Sequence, residues 1–220
     1  MRFSNYLQVL VSGFLLLFGL LLGGLIGLET ISAVAPESNR FAPAAITLRE
    51  VPETPYKELA DEVLTFRDSL GITWAAPRGT LTDGASVPRL GLLVTDGRFG
   101  PAMLKAAVLH DAYCGEANVD RCPAQFHRRP WTEVHRMFYE ALVAGGTPSV
   151  RAGIMFAAVW LGGPRWDDPG RDLSAIPDER IAAEFAVCRQ WILDDKPGRQ
   201  AIEDWMTKRE PLLFAPPAAR

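Results

Sequence analysis

The sequence predicts an α+β domain, mostly helical, in which a small antiparallel sheet precedes a helical bundle and one transmembrane helix precedes both. Three observations predict it. An uncharged apolar run lies near the N-terminus, short β-prone runs fall between residues 46 and 74, and prolines open a series of apolar-periodic stretches. At 220 residues, one globular domain follows the N-terminal segment. The net charge is −3 with a pI near 5.7, and the two signs are mixed along the chain. No basic field exists to hold nucleic acid, so no nucleic-acid partner is expected.

The first element is the membrane segment. Tyr6 to Leu28 carries no charge and is 23 residues long, about 34 Å of helix against a hydrocarbon core of about 30 Å. The competing reading is a cleaved leader, with Ala33-Val34-Ala35 as the cleavage pattern. The length of the run and Pro36 just after that site favour an uncleaved anchor spanning residues 1–32. Gly19, Gly23 and Gly27 recur every fourth residue, the spacing that lets two helices approach, so a homodimer is one expectation and ordinary membrane-helix glycine the other. A short N-terminal tail that stays cytoplasmic places the domain on the extracytoplasmic side of the cell membrane.

Residues 33–45, rich in Pro, Ala and Ser, read as a linker. The globular domain is expected over 46–210, with a loose tail over 211–220. Ile46-Thr47-Leu48, Val63 to Phe66 and Ile72-Thr73-Trp74 read as strands, and Asp68 to Gly71 as a turn. Helices follow from Pro101 to about Tyr113, Pro130 to Ala144, Pro148 to Leu161, Asp178 to Leu193 and Gly198 to Arg209. Ala152 to Gly163 is apolar but too short to span a membrane, so it reads as a core helix.

The stretch Met103 to Tyr113 is apolar almost all round, Lys105 excepted, so it belongs in the interior. It nevertheless ends in His110-Asp111. A carboxylate at the negative end of a buried helix needs a partner, either a cation or the basic group His127, Arg128, Arg129. Upstream, Thr82-Asp83-Gly84-Ala85-Ser86-Val87-Pro88 has turn chemistry and can also aim Asp83 at a hard cation. His135 shares a helical face with Phe138 and Leu142; it reads as a core histidine or as a further metal ligand. Cys114 and Cys122 flank a polar loop and can pair in an oxidising compartment, whereas Cys188 lies on the apolar stripe Ile181, Phe185, Ile192 and reads as a buried thiol. No nucleophile elbow, phosphate loop or dinucleotide fingerprint is present.

Thr82 to Pro88, Gly100, Leu109-His110-Asp111, Tyr113 and Phe138 to Leu142 together resemble domain of unknown function 1353, a family of phages and prophages. The resemblance covers about Val63 to Gly163. It departs from the family at Val134-His135, where members carry Ala-Asp, and in the extended Arg121 to Arg129 segment. His110-Asp111-Ala112-Tyr113-Cys114 is also similar to the His-Asp helix of secreted phospholipases A2. That similarity implies His110 as a general base for water and Asp111 as a calcium ligand. The expected function is a membrane-anchored hydrolase of lipid or cell-envelope substrate. His110 and Asp111 would be catalytic, and Asp83, Asp111 and His135 would hold a divalent metal, calcium or zinc. The alternative is a non-catalytic binding or assembly module whose polar network is structural.

Overall fold

The computed structural model describes residues 40–84 and 101–215, all within one compact unit, Pro36–Arg220. The expected anchor and its Gly19, Gly23 and Gly27 lie outside the described residues, as do Ser86 to Pro88 and Gly100.

Among the described residues six strands come first: β1 Phe41–Ala42, β2 Leu48–Glu50, β3 Lys57–Leu59, β4 Val63–Arg67, β5 Thr73–Pro77 and β6 Leu81–Thr82. They form two antiparallel three-stranded sheets, ordered β1-β4-β5 and β2-β3-β6, where the sequence suggested one. Two residues of the expected linker join a sheet, because Phe41 buries its ring against Phe66 with centroids 4.8 Å apart. The strand expected at 46–48 sits slightly later, at 48–50. In β4 and β5 the period of two is plain: Leu64, Phe66, Trp74 and Ala76 are buried, and Phe66 pairs with Trp74. The intervening turn is tied by Asp68, whose carboxylate accepts from Leu70 N, Ile72 N and Trp74 Nε1 at 2.8–3.0 Å. Gly71 adopts φ +79° there, a conformation that favours glycine.

Five helices follow: α1 Pro101–Cys114, α2 Trp131–Ala144, α3 Ser149–Gly162, α4 Asp178–Asp195 and α5 Arg199–Phe214. Pro130, Pro148 and Pro177 are the N-cap residues of α2, α3 and α4. α1 packs on α2 and on strands of both sheets, with Ala106, Ala107, Val108, Leu109 and Ala112 all at 1% exposure or less. Its small side chains let those neighbours approach closely. α3 packs against α2, α4 and α5, as a core helix should. Among the described residues no helix is long and apolar enough to cross a membrane. α5 continues through Pro211 to Phe214 rather than ending near Arg209. Leu213 is buried, and Arg180 donates to the carbonyls of Leu212 and Ala215, which secures that last turn.

Candidate functional site

The end of α1 opens onto a cleft of about 430 Å³ lined by Asp83, His110, Asp111, Cys114 and Glu116 on one side and by Gly162 to Arg165 and Asp172 to Ser174 on the other. Asp83, His110 and Asp111 therefore line the same cleft. His135 does not line the cleft; it is fully buried beneath His110. Among the described residues no group of three or more His, Cys, Asp or Glu side chains is arranged to hold a metal ion.

His110 and His135 approach across the α1–α2 interface, with His110 Nε2 3.0 Å from His135 Nδ1. Burial, with the neighbouring His110 and Arg165, holds His135 well below the ordinary imidazole range, so it is neutral. Its Nε2 faces the Pro164 carbonyl, short of a full hydrogen bond, and the proton of neutral His135 belongs there. Nδ1 is then an acceptor, and His110 Nε2–H donates to it. Gly163 makes this possible: a Cβ there would lie 3.1 Å from His135 Nε2 and 2.4 Å from the Val159 carbonyl.

The other ring nitrogen of His110, Nδ1, lies 3.6 Å from Asp111 Oδ1. Burial raises the Asp111 carboxyl pKa above the usual range, against the opposing pull of His110 and the Thr82 hydroxyl, while Asp83 adds to the rise. Asp111 and His110 thus lie within ion-pair range, beyond direct hydrogen-bond distance. The partner foreseen in the loop is not used. His127 stacks on Trp166 with centroids 4.4 Å apart, and Arg129 pairs with Glu133 and covers Trp74. Asp111 is met by the adjacent imidazole instead, while the loop is tied through His127 N to the Tyr113 carbonyl.

All three cysteines are free and buried, so Cys114 and Cys122 do not pair. Cys122 Sγ lies 3.3 Å from Thr80 Oγ1. Cys114 Sγ is 3.5 Å from both nitrogens of His110, which puts it over the ring face and off the in-plane lone pairs. Burial raises its thiol pKa strongly, so it is not poised as a nucleophile. Cys188 is the buried thiol expected, its pKa pushed up to about 12.

Asn118 completes the site and carried no sequence signal beyond a polar residue in a loop. It is 1% exposed; its Oδ1 accepts from Leu81 N, and its Nδ2 donates to the carbonyls of Leu81 and Asp111, all at 2.8–2.9 Å. This one amide fastens β6 to the end of α1 and brings Asp83 beside Asp111. Gly84, at φ +87°, then turns the chain, its N–H donating to Thr82 Oγ1.

Neutral His135 has a measurable consequence. Its pKa is depressed on folding, so its contribution to stability is complete above the unfolded value of 6.5 and is lost as pH falls below it. That loss sets in as pH falls from about 7.5 toward 5.5. Asp111 acts oppositely, since its raised pKa favours folding as pH falls toward 3.8. Comparing His135→Gln with wild type isolates the imidazole: urea unfolding of the variant is expected to be flatter across this window. Identical acid slopes would refute a neutral buried His135.

Residues 58–159 match the family described as protein of unknown function DUF1353. An uncharacterised protein of Sinorhizobium fredii (strain NBRC 101917 / NGR234), y4iH, is 33% identical over 136 residues, which is 62% of this chain and 50% of that protein. A second from the same strain, y4jT, also uncharacterised, is 36% identical over 112 residues, 51% of this chain and 30% of its own length. The matched region thus spans half or less of these curated relatives. No solved structure matches. The segments that carried the resemblance, from Thr82 to Leu142, fall inside the range 58–159 that matches the DUF1353 family.

Proposed function

We propose that the domain is a hydrolase whose acid–base centre is the Asp111–His110 pair, acting on cell-envelope substrate at the membrane in which Tyr6 to Leu28 anchors the chain. One observation carries this reading: a carboxylate and an imidazole are held 3.6 Å apart on the wall of an open cleft. Among the described residues, no Lys or Arg is among the charges acting on Asp111. A water against the pair gives up a proton as its oxygen bonds the scissile carbonyl carbon. The tetrahedral centre then collapses, the C–O or C–N bond breaks, and the proton passes to the departing atom.

The two ring nitrogens of His110 face His135 and Asp111, and Asp111 Oδ2 is buried without a hydrogen-bond partner, so Asp111 is the member of the pair that would take the proton of a water admitted beside it. His135 serves by holding His110 and has no donor left for a metal. Asp83 and Asp111 are the carboxylates that would hold a divalent cation, and their oxygens suit calcium better than zinc. Asp83, Asp111, Glu116 and Asp172 make the cleft acidic, and its lining Arg165 is directed to Glu210. Such walls favour a neutral or cationic ester or amide over an anionic phospholipid head group.

A second reading is a non-catalytic binding or assembly module, favoured by the engagement of both His110 nitrogens within the protein. The full chain in detergent, tested on ester and amide panels with and without calcium, separates the two. Hydrolysis that falls at least about 100-fold in His110→Ala with an unchanged melt supports the hydrolase. A wild type inert on every panel, or equal turnover in the variant, sinks it.

A further inference from the structure

The cleft has one wall inside the matched family range and one outside it. Asp83, His110 and Asp111 lie within the matched family segment, whereas the facing wall, Gly162 to Arg165 and Asp172 to Ser174, lies beyond residue 159. That second wall has no strand or α-helix after α3 ends, only the short 3₁₀ turn Pro169–Arg171. Its shape must come from side chains.

Two arginines supply it. Arg165, with 1% of its side chain exposed, donates through Nη1 to the Arg171 carbonyl at 2.7 Å and to Glu210. Through Nη2 it donates to the Trp160 carbonyl at 2.8 Å, so one guanidinium pins both ends of the wall segment. The same group lies 4.5 Å over the Trp131 ring. Arg171 then grips both oxygens of Glu210, with Nε at 3.2 Å and Nη2 at 2.7 Å. Glu210 belongs to α5 and is itself buried. A carboxylate 51 residues past the family segment thus joins the two cations that hold the wall.

We infer that the hairpin of α4 and α5 is a clamp that shapes the cleft, with Glu210 as the positioning residue through which this chain sets what the cleft admits. The inference rests on the cleft being the ligand site proposed above, and not on its chemistry. Arg171→Gln is the gentle test, because its guanidinium is partly exposed and the Arg165–Glu210 pair survives it. Glu210→Gln is the severe one, since it leaves Arg165 buried without its counter-charge.

Hydrogen exchange on the full chain is expected to accelerate at least about tenfold in residues 163–174 of both variants, with α1 and α3 unchanged. On any substrate found, KM is expected to rise with kcat within about twofold of wild type. Unchanged exchange in 163–174, or an acceleration shared equally by α1 and α3, overturns the clamp. If Glu210→Gln does not fold, Arg171→Gln decides. If no substrate emerges, the exchange pattern still judges the clamp while the hydrolase reading fails by itself.

Discussion

Asp111→Asn is expected to lower kcat by about 10²–10⁴-fold and to leave the melting temperature equal or a few degrees higher. The two halves of this expectation have one origin. Burial is the largest influence on Asp111 and raises its pKa, so the folded state binds its proton more tightly than the unfolded chain does. Above that raised pKa the ionised carboxylate therefore costs stability, and His110 and Thr82 offset the cost only in part. An asparagine of the same shape removes the charge and with it the proton acceptor. Thermal melts at neutral and mildly alkaline pH, beside turnover of the same preparation, check both halves. A variant that melts much lower yet turns over normally would make Asp111 a structural residue.

Asn118→Ala is expected to cost about 2–4 kcal/mol of stability, the largest loss expected from a single polar side chain in the site. Its amide makes three bonds of 2.8–2.9 Å from a position 1% exposed. Alanine leaves the Leu81 N–H and carbonyl without their partner, each worth about 1–3 kcal/mol when buried and unmet. The Asp111 carbonyl is spared, because Gly115 N also donates to it at 2.8 Å. Asn118→Asp is expected to do no better: it keeps the acceptor but turns an oxygen toward two carbonyls. Urea unfolding measures both, and a loss under about 1 kcal/mol for the alanine variant would show that β6 is held otherwise.

The helices were legible because apolar periodicity and helix-opening prolines act within one segment. Trp131–Ala144 and Ser149–Gly162 fall close to where Pro130 and Pro148 placed them. The sheets were half legible. β4 and β5 announce themselves by alternation, whereas Lys57-Glu58-Leu59 and Leu81-Thr82 are too short and mixed to signal a strand, and they exist through pairing with each other. His110 and Asp111 stood out because charge at the end of a greasy helix is locally anomalous. The identity of the carboxylate's partner was not readable, since the path of residues 127–129 depends on stacking against Trp166. Asn118 and Glu210 were invisible for the same reason: their partners lie 37 and 45 residues away. His135 was read two ways, as core or ligand, and it is buried in the core while touching the site.

α1 has alanines at 106, 107 and 112, none more than 1% exposed, on either side of His110 and Asp111. Side chains this small against close-packed neighbours leave no slack for the rod to slide or roll. His110 and Asp111 thus inherit the order of a solid, and their orientation is settled before any visitor arrives. On the proposed reading, adaptation to new molecules would then have to come from the far side of the groove, where sequence can drift without disturbing His110 and Asp111.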